Sequence, residues 1–434
     1  MRDITRRNFM RYCGMGALGL VFSPRLVFAK TGSNVRASDV VQCFDENATT
    51  GSAINESVVQ IMMDASIKQL TGIAHVGNAW KSIFPGINQN SVITIKVNPI
   101  EPYLPTHPAF VNCIVNGLSQ MEIGGSYFTR NNIIIWDRSE SQLSNAGYTI
   151  YDGSDPDIVR CFATNHSGIG YDTNTPINVY GVTSRPSRIL SVMSDYLLNV
   201  AVLKTLSIAD VTLSLKNHYG SIDNPELMHD NLCNPYIPSV NQQIRDVIEP
   251  NNIQKLCIID ALFGRYSGDG PVNFVPNKLL MSFDTVACDS QGQNVINEER
   301  GLHGLNPVSA SHIATAAQSP YNLGTTDINL IEINNPSGIT EVGIIEPGSG
   351  NLRIAPNPFH RRTTISFSLM HDSTVHLDLV DSAGRVLTKI HSGHYTTGTH
   401  KVSYILNNQI PTGAFFVRLY NAGEIWTKKV MILG

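Results

Sequence analysis

The chain has 434 residues, of which 42% are hydrophobic and 15% charged. That is too much apolar surface for a disordered chain and too much length for one compact domain, so two folded units plus processing segments are expected. A formal net charge of −4, with no Lys/Arg block beyond the N-terminus, provides no electrostatic footprint for nucleic acid.

At the start, Thr5-Arg6-Arg7-Asn8-Phe9-Met10-Arg11 precedes the apolar run Met15-Gly16-Ala17-Leu18-Gly19-Leu20-Val21-Phe22 and then Val27-Phe28-Ala29. Small residues at the last and third-last positions suit a signal-peptidase cleft, which places cleavage after Ala29. The apolar run is about eight residues where a bilayer core needs about twenty, so no membrane span is expected in the mature protein. The stretch resembles a twin-arginine signal, with Met10 where that family usually has Leu and Arg11 where it has Lys. The resemblance implies delivery by the twin-arginine translocase, as folded cargo, into the periplasm.

From about residue 36 to 334, apolar strands alternate with amphipathic helices. Asn55 can cap a helix through Val58, Val59, Met62, Ala65 and Leu70 that Gly72 ends. A strand follows over 92–98, then a proline-started helix from Pro108 to Met121, then a strand over 132–137. Another apolar strand runs from Leu256 to Asp260, and a helix is expected after Asp284. Strands separated by helices predict an α/β fold, an open and mostly parallel sheet covered by helices on both faces. In such sheets ligands collect at the carboxyl ends of strands.

That rule selects Lys96 and Asn98 after the first strand, Asp137 after the second and Asp260 after the third. Each aspartate can equally cap a turn. Lys96, between Ile95 and Val97, must snorkel, pair or meet an anion. The segment Leu197 to Gly220 adds Lys204 and Lys216 in apolar surroundings, followed by Asn217 and His218. Lys96, Lys204 and Lys216 are therefore candidate catalytic groups, as electrostatic donors or as desolvated amines, and His218 is a candidate proton carrier. Asn98, Asp137, Asn217, Asp260, Asp269, Asp284 and Asp289 are the candidate ligand-binding groups. The bland alternative is a set of internal ion pairs between these lysines and aspartates.

The strand Ile95-Lys96-Val97-Asn98, the apolar strand carrying Lys204 with its downstream Lys216-Asn217-His218-Tyr219-Gly220, and Ile259-Asp260-Ala261 with Gly268-Asp269-Gly270-Pro271 appear in the order found in the domain of unknown function 362 family. Asp284-Thr285-Val286-Ala287-Cys288-Asp289 extends the resemblance, which covers most of residues 40–334. The family commonly has His two residues after the first lysine, where Leu206 stands here. Many members also carry an iron–sulfur segment. The seven cysteines here, Cys13, Cys43, Cys113, Cys161, Cys233, Cys257 and Cys288, are scattered, with no pair spaced for a cluster or a zinc site, so the cofactor stays open. The resemblance implies a fold and a candidate pocket but no reaction. Two readings follow: an enzyme or former enzyme acting on a small anionic ligand, or a non-catalytic surface protein that binds a ligand or a cation through the aspartates.

Residues 336–350 are rich in Pro, Gly and Ser and read as a linker between a domain over 30–335 and a terminal domain over 351–434. In the terminal segment, Ile365, Phe367 and Leu369 alternate with polar neighbours. So do Val375, Leu377 and Leu379, then Val402, Tyr404 and Leu406, then Phe415, Val417 and Leu419, with turn residues between the runs. This pattern predicts an all-β, immunoglobulin-like sandwich. Pro356-Asn357-Pro358-Phe359, Leu379 to Val386, Gly413 to Leu419 and the closing Lys428-Lys429-Val430-Met431-Ile432-Leu433 resemble the type IX secretion (Por) sorting domain. That resemblance implies the type IX machinery as partner and the cell surface or the extracellular space as destination.

Overall fold

The computed structural model of the protein describes residues 37–155, 157–248 and 253–338, and most of 352–432. The twin-arginine stretch, its cleavage site and most of the linker lie outside the described residues. The chain forms two units that divide at residue 340.

The first unit is built on a nine-stranded sheet. In chain order its strands are β1 (Ser38–Phe44), β2 (Ile93–Lys96), β3 (Ile133–Trp136), β4 (Arg160–Cys161), β5 (Tyr196–Leu206), β6 (Asp210–Thr212), β7 (Gln254–Arg265), β8 (Lys278–Ser282) and β9 (Ile328–Asn334). In space they run β9-β1-β8-β7-β5-β2-β3-β4, with β6 paired to β5. Five neighbouring pairs are parallel; only β8 against β1 and β7, and β6 against β5, are antiparallel. The predicted α/β fold with a mostly parallel sheet is the one observed.

The centre of the sheet is apolar on both sides, and this is why β2, β3 and β5 read as near-continuous hydrophobic runs and not as alternating ones. One face packs on the helix Glu56–Thr71, through Val58, Val59, Met62, Met63 and Ile67, and on the helix Pro108–Leu118, through Phe110, Val111 and Ile114. Gly72 closes the first of these helices in the left-handed region at φ 70°, which a Cβ would strain. The other face packs on the helix Thr285–Leu302, where the Asp284 carboxylate caps by accepting from the Ala287 amide at 3.0 Å.

The second unit holds two antiparallel sheets. One contains Leu352–Ala355, Arg362–Leu369 and Gly398–Ile405; the other contains Ser373–Val380, Val386–Tyr395, Gly413–Asn421 and Glu424–Ile432. Ile365, Phe367 and Leu369 from the first meet Val375, Leu377, Leu379, Val417 and Leu419 from the second in one apolar core. Period-two alternation with one face buried is what sets this register, since a slip of one residue would turn every apolar side chain outward.

Candidate functional site

A cavity of about 710 Å³ opens in the first unit, lined by residues that follow the carboxyl ends of β2, β3 and β5. Lys96 closes β2, Asp137 follows β3, Lys204 sits near the end of β5, and Lys216 lies on the one-turn helix Ser214–Asn217. Lys96, Lys204, Lys216, Asn98, Asp137 and Asn217 all line this one cavity.

The three lysines differ in how their charge is met. Lys96 is fully buried; its Nζ is 3.1 Å from Asp137 Oδ1 and donates to the Val97 carbonyl at 2.8 Å and to Asn217 Oδ1 at 3.2 Å. Burial pushes the ammonium down and the Asp137 carboxyl up, each toward its neutral form, and the ion pair opposes both shifts. Asn217 is fixed in turn, its Nδ2 donating to Asn199 Oδ1 at 2.8 Å and to the Lys96 carbonyl at 3.3 Å. Gly220 lets the backbone close over this pair, because a Cβ there would lie 2.3 Å from Asp137 Oδ1 and 2.7 Å from Lys96 Nζ.

Lys204 meets Glu101 at 2.9 Å and donates to the Leu104 carbonyl at 3.2 Å and to Asn98 Oδ1 at 3.4 Å. Burial lowers its pKa to about 8 against the pull of Glu101. Glu101 also holds the fully buried Arg265 at 3.2 Å, so one carboxylate is shared by two cations. The Arg265 guanidinium is further occupied by the Thr205 carbonyl at 2.6 Å and by the Gly270 carbonyl.

Lys216 has no such partner. It is 7% exposed, lies 4.0 Å over the Tyr219 ring and neighbours the Cys233 thiol, and it joins no ion pair among the described residues. Burial pushes the Cys233 thiol up, so Cys233 is a neutral neighbour and not a counter-ion. Burial also lowers the Lys216 pKa from its ordinary value. Also in the cavity lining, on β6 opposite Lys204, the Thr212 hydroxyl is buried without a hydrogen-bond partner among the described residues.

The remaining candidates stand apart from the cavity lining, and each already has protein partners. His218 is buried between Ser221 Oγ at 3.1 Å and Gln254 Oε1 at 2.7 Å, and burial lowers its pKa to about 4. Asp260 accepts from the His107 amide at 2.9 Å and meets His107 Nδ1 at 2.7 Å. Asp269 holds the Ser207 amide at 2.7 Å, and Asp284 holds Ser38 Oγ at 2.8 Å and the Thr325 amide at 3.0 Å. Asp289, which burial pushes up to about 7, accepts from the Ser214 and Leu215 amides at 2.8 Å each and so anchors the turn that carries Lys216. These aspartates cap and latch the backbone around the site. Glu101, Arg138, Thr212, Tyr219 and Arg265 were not singled out from the sequence; they become visible only once the strand ends converge.

Residues 93–294 match the family described as "Domain of unknown function (DUF362)". Every lysine of the cavity, with Glu101, Asp137 and Arg265, falls inside that DUF362 segment. Residues 353–433 match the "Secretion system C-terminal sorting domain", which supports export to the cell surface or the extracellular space. No curated protein matches the chain. Among solved structures, a Thermotoga maritima protein aligns at 11% identity over 59% of this chain and 61% of its own, with a TM-score of 0.33. An engineered protein aligns at 10% identity over 86% of this chain and 80% of its own, with a TM-score of 0.18. The Pseudomonas fluorescens alkylpurine DNA glycosylase AlkC, bound to DNA containing an abasic site analog, aligns at 15% identity, with a TM-score of 0.15. The chain covers 19% of itself and 29% of the glycosylase in that last alignment, so it spans less than a third of that relative.

Proposed function

We propose that this is an exported protein whose DUF362 segment holds a small anionic ligand in the cavity, with Lys216 as the receiving charge. The observation that carries the reading is the unequal pairing of the three lysines. Asp137 answers Lys96 at 3.1 Å, Glu101 answers Lys204 at 2.9 Å, and no carboxylate among the described residues answers Lys216. Four cationic side chains, Lys96, Arg138, Lys204 and Lys216, face three carboxylates, Glu101, Asp137 and Glu226, around the cavity. Lys216 is thus the cavity lysine that no carboxylate among the described residues answers, and its burial strengthens its attraction for an anion. Lys96, Asn217 and Asp137 then act as rigid wall, and any proton transfer falls to the Lys216 amine. The cation-binding alternative has weaker support, because the aspartates are spent on backbone amides and, among the described residues, no three His, Cys, Asp or Glu side chains gather for a metal ion.

Isothermal titration of the full chain against butyrate, phosphate and butylamine tests the reading. Anion binding is expected in the wild type and lost in Lys216→Met, while Lys204→Met retains it. Binding that survives Lys216→Met, or that favours the amine, refutes it. On the export side, the twin-arginine start would deliver the folded chain to the periplasm and the immunoglobulin-like tail would pass it to the type IX machinery. Deleting 351–434 is expected to trap the protein in the periplasm, and unchanged surface display would reject the sorting role.

A further inference from the structure

The cavity lining combines two chemistries. It offers the unpaired ammonium of Lys216 and the Thr212 hydroxyl, which stands across from Lys204 and has no hydrogen-bond partner among the described residues; one ammonium and one hydroxyl donor match the two oxygens of a carboxylate. The lining also includes Ile100, Leu206 and Ile208, with Ile100 59% and Ile208 41% exposed to solvent. Large aliphatic side chains held in water at the rim of a cavity whose other lysines are already neutralised mark a surface that an apolar group of the ligand would cover.

We infer that the ligand is an amphiphilic monocarboxylate, its head between Lys216 and Thr212 and its hydrocarbon portion along Ile100, Leu206 and Ile208. The inference rests on the anion-binding reading above and narrows it to a class. Phosphate or a bare short carboxylate would leave these aliphatic side chains wet. The lowered pKa of Lys216 accords with this arrangement: the ammonium gains a counter-charge only when the head group arrives.

The test is a chain-length series with the full-length protein: acetate, butyrate, hexanoate and octanoate, each beside the matched alkylamine and alkanol, by isothermal titration. From butyrate upward, affinity is expected to rise about fourfold per methylene, the equivalent of ~0.8 kcal/mol for each buried CH₂. The amines are expected to bind at least tenfold more weakly. Ile208→Asn, and separately Ile100→Asn, at rim positions where the fold does not depend on the side chain, should flatten that slope while leaving acetate unchanged. Thr212→Val should weaken every carboxylate by a common factor without altering the slope. Carboxylates that bind equally at all lengths would overturn the inference and leave the anion site standing. Alkanols that bind as well as carboxylates would overturn it as well, and no carboxylate binding at all would remove both readings.

Discussion

Replacing Lys96 by Met removes an ammonium and leaves Asp137, 5% exposed, with the Arg138 amide at 2.6 Å in place of its ion-pair partner. Removing one member of a buried pair costs about 3–5 kcal/mol, because the surviving charge keeps its desolvation penalty. Lys204→Met is a different case, since Glu101 keeps Arg265 at 3.2 Å and no charge is orphaned, so about 1 kcal/mol or less is expected. Thermal unfolding followed by the fluorescence of Trp80 and Trp136, both buried in the first unit, separates the two. At about 2–4 °C per kcal/mol, Lys96→Met should lower Tm by roughly 6–20 °C and Lys204→Met by about 4 °C or less. Asp137 can relieve its isolation by binding a proton. Its folded-state pKa is already raised by burial and rises further without Lys96, so the loss in Lys96→Met should shrink as pH falls toward 5. The double variant Lys96→Met, Asp137→Asn should recover most of the loss. Equal Tm values for the two single variants, or a Lys96→Met deficit that does not depend on pH, would refute the account of the pair.

Three further outcomes follow from the same geometry. Lys204 has its pKa lowered to about 8 in the fold, against an ordinary 10.5, so between those values the unfolded chain holds the extra proton. The stabilising contribution of this group is thus present at high pH and lost as pH falls through about 8, and the Tm of the wild type relative to Lys204→Met should rise from pH 7.5 to pH 9.5; a constant difference counts against it. The anion is received by the ammonium form of Lys216, whose pKa burial has lowered, so affinity measured by calorimetry should fall as pH rises, and an affinity that does not change with pH counts against it. Gly220→Ala would force its Cβ against Asp137 Oδ1 and Lys96 Nζ, lowering Tm in the wild type and much less in Asp137→Ala, which removes the nearer clash; additive losses would show that the methyl acts elsewhere.

The sheet was legible because its central strands are buried on both faces, and β2, β3 and β5 show as apolar runs between helical patterns. The edges were not. β9 carries Asn329, Glu332 and Asn334 on an exposed margin and pairs with β1 almost 300 positions away, and nothing local announces such a parallel partner. Expected strand and helix ends shifted as well: β7 runs on past Asp260 to Arg265, with β8 pairing as far as Ala261 and β5 meeting it again at Arg265 after a register shift.

The site followed the same logic. Lysines in apolar runs stand out in a sequence because an ammonium there must be answered by something; the strand-end rule selected Lys96, the apolar surroundings selected Lys204 and Lys216, and all three line one cavity. What answers each of them is a long-range matter: Glu101 lies in an irregular loop, and its two cations, Lys204 and Arg265, come from different strands. The aspartates show the reverse. Asp260, Asp284 and Asp289 end or follow apolar runs as ligand-binding groups do, yet backbone amides already hold them: His107 for Asp260, Ala287 for Asp284, and Ser214 and Leu215 for Asp289. Charge pattern alone thus finds where buried cations sit. Only the fold shows which of them still lacks an anion, and on that difference the functional reading turns.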